Sequence, residues 1–102
     1  MQLLLTGGRF DAAWALRFGL VTEVLPAAGL QQRALAIAEE ICRSGPLAVR
    51  AVKEAALRGL EGTLAQGLDI ETDLGRRVLR SEDAREGPRA FAEKRAPNYR
   101  GT

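Results

Sequence analysis

Apolar residues recur along this chain at helical spacing and almost nowhere at the alternating spacing of a strand. Over residues 27–43, Leu30, Ala34, Ile37, Ala38 and Ile41 fall on one face, while Gln31, Gln32, Glu39 and Glu40 lie mostly elsewhere, which predicts an amphipathic helix. A second follows, with Ser44 as the expected N-cap and Pro46 at an early helical position. There Val49, Val52, Ala56 and Leu60 form the apolar face, and Arg50, Glu54 and Arg58 stand four apart for ion pairs on the wet one. Gly62-Thr63 breaks and recaps the chain before a helix over 64–80. The last helix starts after Ser81, runs through Glu86-Gly87-Pro88 and ends near Arg95, because Pro97 forbids continuation. At the other end, Asp11 is an N-cap for a short helix carrying Ala12 to Leu16, which Gly19 ends. The opening apolar run, broken at Gly7-Gly8, suits the tail of a helix or strand. Residues 20–25 are the one β-like run, stopped by Pro26, and a lone strand cannot build a sheet. The pattern predicts a mainly α fold of about five helices with one short strand, a single helical domain over residues 1–102.

The helix over 64–80 departs from the rule. Leu64, Leu68, Val78 and Leu79 share their stripe with Gly67, Glu71 and Gly75. A glycine inside a helix costs about 0.8–1.0 kcal/mol against alanine, so two on the apolar stripe suggest the close approach of another backbone. A carboxylate in the same stripe is costly unless paired. Gly67, Glu71 and Gly75 are therefore expected at an interface, with Glu71 in an ion pair or hydrogen bond across it.

Composition narrows the function. Fifteen basic residues against thirteen acidic give a net charge of +2 with alternating signs, which argues against nucleic acid as a partner. No apolar run approaches the roughly 18 residues of a membrane span, and the opening residues lack the features of a secretory signal, so a cytoplasmic setting without a membrane partner is expected. With one cysteine, Cys42, and no histidine, the chain offers no disulfide framework, zinc spacing or Ser-His-Asp arrangement. Neither a metal nor a cofactor is expected. Cys42 reads as a small buried filler, Trp14 as an anchor of core or interface, and Arg76, Arg77 and Arg80 as a solvated face. The acidic pairs Glu39-Glu40 and Glu82-Asp83 read as solvated surface charge.

Two blocks carry a resemblance. The closing residues fit S-x-D-x-x-E-G-x-x-A-F-x-E-K-R-x-P, through Ser81, Asp83, Glu86, Gly87, Ala90, Phe91, Glu93, Lys94, Arg95 and Pro97. Near the start, Leu4-Leu5-Thr6-Gly7, Ala12, Ala15 and Gly19-Leu20-Val21 run into Val24-Leu25-Pro26. Together these resemble the carboxyl-terminal part of the enoyl-CoA hydratase/isomerase (crotonase) superfamily, over essentially the whole chain.

The resemblance implies the small helical C-terminal domain of the crotonase fold, without its catalytic ββα core. It implies a parent enzyme, a hydro-lyase or isomerase of acyl-CoA (fatty acid) metabolism, in which two backbone N–H groups hold the thioester oxygen while acidic side chains move water or protons. Those elements would lie upstream of Met1, so no catalytic residue is expected within the chain and the isolated chain is expected to be inactive. What remains would cover the acyl-CoA site and pack subunits into a homo-oligomer. The resemblance also places Lys94 near the adenosine end of coenzyme A bound by a neighbouring subunit; the alternative is a surface lysine complementing its helix's carboxyl end. A reading from a different class, a stand-alone helical oligomerisation module, fits the same residues.

Overall fold

The computed structural model describes all 102 residues, the side chain of Gln2 excepted. Six α-helices follow in order: α1 Gln2–Thr6, α2 Ala12–Arg17, α3 Leu30–Cys42, α4 Pro46–Gly59, α5 Leu64–Leu79 and α6 Glu82–Ala92, with a 3-10 turn, Ala27–Gly29, leading into α3. The mainly helical class is as the periodicity predicts. No strand forms among the described residues. The β-like run at 20–25 has no partner to pair with, and its first amides turn back instead: the Leu20 and Val21 N–H groups both donate to the Ala15 carbonyl at the end of α2.

The chain divides into two compact units, Met1–Leu35 and Ala36–Thr102. In the first, Asp11 caps α2 by accepting the Trp14 N–H at 2.8 Å. Trp14 is half-buried and stacks between Phe10 and Phe18, with ring centroids 5.0 and 4.2 Å away. Its place in an aromatic cluster agrees with the anchor role. Ala15 is this unit's buried apolar residue.

In the second unit α4 and α5 form an antiparallel hairpin. The N-cap of α4 is Gly45 and not Ser44, and no side chain caps it; Pro46 at the first helical position presets the turn instead. Along α4 the Glu54–Arg58 pair forms at 2.6 Å, and Arg50 takes no part in it. A capping box opens α5: the Gln66 N–H donates to the Thr63 hydroxyl while the Gln66 side chain accepts the Thr63 N–H at 2.8 Å. Ser81 caps α6.

Among the described residues the buried apolar core is only Ala15, Leu74 and Ala90. All of α3 is exposed, including Leu30, Ile37 and Ile41 on its apolar face. Cys42 at its end is exposed as well, which corrects its expected burial: the apolar face it flanks is itself largely open, with Ile41 49% exposed beside it.

Candidate functional site

The polar centre of the second unit is built by α6 and the segment after it, residues 96–102, which folds back along the helix as a strap. Asp83 and Glu86 lie one turn apart on the inner face of α6 and are both buried. Asp83 receives the strap with both oxygens: the Arg100 N–H donates to Oδ1 at 2.7 Å and the Gly101 N–H to Oδ2 at 2.8 Å. Gly101 has φ +77°, a left-handed turn that brings the two amides together. Glu86 accepts the Asn98 N–H at 2.9 Å and two bonds from the Arg95 guanidinium, at 2.6 and 3.1 Å. The Thr102 carbonyl then accepts the Glu82 N–H at 2.8 Å, satisfying a free donor in the first turn of α6. Tyr99 completes the attachment, its ring against Gly45 and its hydroxyl close enough to Gly87 to leave no easy room for a side chain there.

This geometry corrects the reading of Glu82-Asp83 as solvated charge. Glu82 is exposed and pairs with Arg85 at 2.8 Å, whereas Asp83 is buried. Both donors that reach Asp83 belong to the backbone, so no charge pattern marks its role. The arginine bonds, then the Asn98 N–H, hold the Glu86 carboxyl far below the usual carboxylate range, and the pairing with Glu86 and Glu93 raises Arg95 above its ordinary value. Most residues of the closing sequence pattern thus do structural work: a cap at Ser81, two strap anchors at Asp83 and Glu86, a clearance at Gly87, a packed methyl at Ala90 and a counter-ion at Arg95.

Lys94 stands where α6 ends. The Lys94 N–H donates to the Phe91 carbonyl at 3.1 Å and the Arg95 N–H to the Ala90 carbonyl at 3.0 Å, the paired bonds of a Schellman motif. Lys94 occupies the left-handed position usually given to glycine, with φ 52°. Its side chain is exposed and has no hydrogen bond or ion pair among the described residues. Beside it the Arg95 guanidinium is occupied by Glu86, Glu93 and the Ala96 carbonyl.

The expected interface residues part company. Gly67 faces Gly59 at the end of α4, and a Cβ at Gly67 would stand 3.3 Å from both the Cα and the carbonyl oxygen of Gly59. Its close backbone neighbour is therefore within the chain. Gly75, by contrast, has nothing within 4 Å of where its Cβ would be. Glu71 is exposed and unpaired among the described residues, and with Gly67 it lines a groove of about 360 Å³ between α4 and α5. The rest of that lining is apolar, led by Val52, Leu60, Leu64 and Leu68, all exposed. Neither Gly75 nor Lys94 borders the groove. No helix among the described residues is long and apolar enough to cross a membrane.

A sequence model of the enoyl-CoA hydratase/isomerase family matches residues 1–102, so the chain belongs to that family. It is 44% identical to an enoyl-CoA hydratase of Mycobacterium tuberculosis over 96% of its own length and 37% of that protein's. It is 41% identical to a carnitinyl-CoA dehydratase of Proteus mirabilis, over 98% of itself and 40% of the relative. The crystal structure of an enoyl-CoA hydratase from Bacillus anthracis superposes with a TM-score of 0.94 at 42% identity, covering 99% of this chain and 39% of that one. The chain thus spans about two fifths of the length of these relatives, and over that length it has the crotonase fold.

Proposed function

We propose that this chain is the carboxyl-terminal helical region of an acyl-CoA enzyme that hydrates a 2-enoyl-CoA thioester, with the oxyanion donors and the catalytic acid and base outside it. Its task is to cover the acyl-CoA site and to join subunits, and Lys94 offers an ammonium to the phosphates at the adenosine end of coenzyme A. The observation that carries this reading is the family match along the whole chain, against relatives named as CoA-thioester hydratases and dehydratases. The unpaired Lys94 and the uncovered apolar lining of the α4–α5 groove support the two finer roles.

The test is hydration of crotonyl-CoA, followed by loss of the conjugated thioester absorbance. The purified 102-residue chain should match buffer. Mixed with the Bacillus anthracis enzyme shortened by its matching region, it should restore turnover that neither part shows alone. Hydration by the chain on its own would overturn the reading, and a silent mixture would favour the oligomerisation module. In a complete enzyme containing this region, Lys94→Ala should raise KM and leave kcat nearly unchanged, since a contact remote from the reacting carbons binds ground and transition states alike.

A further inference from the structure

The Glu93-Lys94-Arg95 triplet carries two cations, and the structure uses them oppositely. Arg95 is bound on every side: Glu86 takes two of its donors, Glu93 another, and the Ala96 carbonyl accepts from Nη1 at 3.1 Å. Lys94 has no partner among the described residues. A lysine in the left-handed region is disfavoured relative to a right-handed conformation, because its Cβ crowds the following carbonyl oxygen. Such a conformation persists where its surroundings over-determine it. Here they do so from both directions. Before Lys94, α6 ends in the two Schellman bonds; after it, Arg95 and the Asn98 N–H are fastened to the same buried carboxylate, Glu86. The chain must reverse at residue 94 to satisfy both.

We propose that Glu86 is a positioning residue for Lys94: by engaging Arg95 and the Asn98 amide it fixes the left-handed turn and leaves the Lys94 ammonium as the one uncommitted cation of the triplet, presented to a phosphate group of the ligand. This rests on the coenzyme A reading of Lys94 given above. The arrangement divides the work between the two residue types. The guanidinium, a planar fork suited to a carboxylate, is spent on structure, and the ammonium, a mobile point charge, is kept for the ligand.

Coenzyme A affinity is measured on a complete enzyme containing this region, and the Lys94 Cα shift is read by NMR in the free 102-residue chain, where it reports the left-handed geometry. Lys94→Ala should weaken binding by about fivefold, the upper end for one exposed ammonium–anion contact. Glu86→Gln should move the Lys94 Cα shift away from the left-handed value, leave the amides of residues 82–90 helical and weaken binding by the same factor. In the Lys94→Ala background Glu86→Gln should add nothing, because its effect passes through Lys94. If Glu86→Gln instead unravels α6, Arg95→Gln provides the same comparison, because Glu86 also accepts from the Arg89 guanidinium, Nε at 3.1 Å, and keeps that pair together with the Asn98 N–H. An unmoved Lys94 shift with wild-type affinity in Glu86→Gln, or in Arg95→Gln where that variant is used, would overturn the inference, as would additive losses in the double variant. Equal binding by wild type and Lys94→Ala would overturn the phosphate role of Lys94 and this inference with it, a pattern distinct from either.

Discussion

Lys94 has the one positive φ of a non-glycine residue among those described, and that makes its replacement informative. Lys94→Gly should stabilise the chain by about 1 kcal/mol, because glycine enters the left-handed cap without a Cβ penalty. Urea unfolding would measure this, and a midpoint unchanged or lowered would show that the reversal is not strained. Glu86 sets the response to acid. Its folded carboxyl titrates well below the ordinary value of 4.5, so the unfolded chain takes up the proton first as the pH drops. The stability it contributes is fully present above about pH 4.5 and declines as the pH falls from there toward the folded value. Unfolding midpoints between pH 6 and roughly pH 2 should therefore fall more steeply for wild type than for Glu86→Gln, which has no proton to bind at that site. Parallel pH profiles would remove Glu86 from the account.

At the scale of elements, the two glycines of α5 should respond with opposite sign. Gly75→Ala adds a methyl to open space and should gain up to about 1 kcal/mol of helix propensity. Gly67→Ala places its methyl 3.3 Å from backbone atoms of Gly59, which no side-chain rotation relieves, so the hairpin must splay and stability should drop despite the better propensity. Thermal melts of the two variants decide it; a stabilised Gly67→Ala would mean that α4 and α5 are less closely seated than described. Here the sequence carried half the message. The glycine pair in the apolar stripe announced a close backbone approach, but the stripe alone named neither its partner nor the fact that Gly75 stands clear. Helix positions were legible through caps and period, as at Asp11, Thr63 and Ser81, where a local side chain decides the boundary. Residues 20–25 read as a strand because their composition is that of one, and pairing, which composition does not encode, is what they lack. The strap was illegible for a related reason: Asp83 bonds to backbone amides 17 and 18 residues away, and amides leave no mark on a sequence.

For the molecule as a whole, the apolar surface left uncovered sets the expected behaviour. Leu60 and Leu64 are 86% and 80% exposed beside the α4–α5 groove, and Leu4, Leu5 and Phe91 are comparably bare. Contiguous apolar patches of this kind mark protein contacts, so the chain alone should self-associate at micromolar concentration. Light scattering coupled to size exclusion tests this, and a stable monomer would remove the assembly role. Replacing Leu60 and Leu64 with polar residues is a cleaner probe of the contact than replacing Gly67, whose neighbour is internal. The strap has a further consequence for the order of events at the ribosome. Hairpin contacts between α4 and α5 are local in sequence and form early, whereas α6 contains a glycine and a proline, Gly87 and Pro88, that weaken it by roughly 1 and 3 kcal/mol relative to alanine. Its anchors Asp83 and Glu86 acquire their partners only once residues 95–101 have left the exit tunnel. Until then two carboxylates lie without their partners on an unsupported helix, so a chain whose α4–α5 hairpin has already folded should still carry its last helix open.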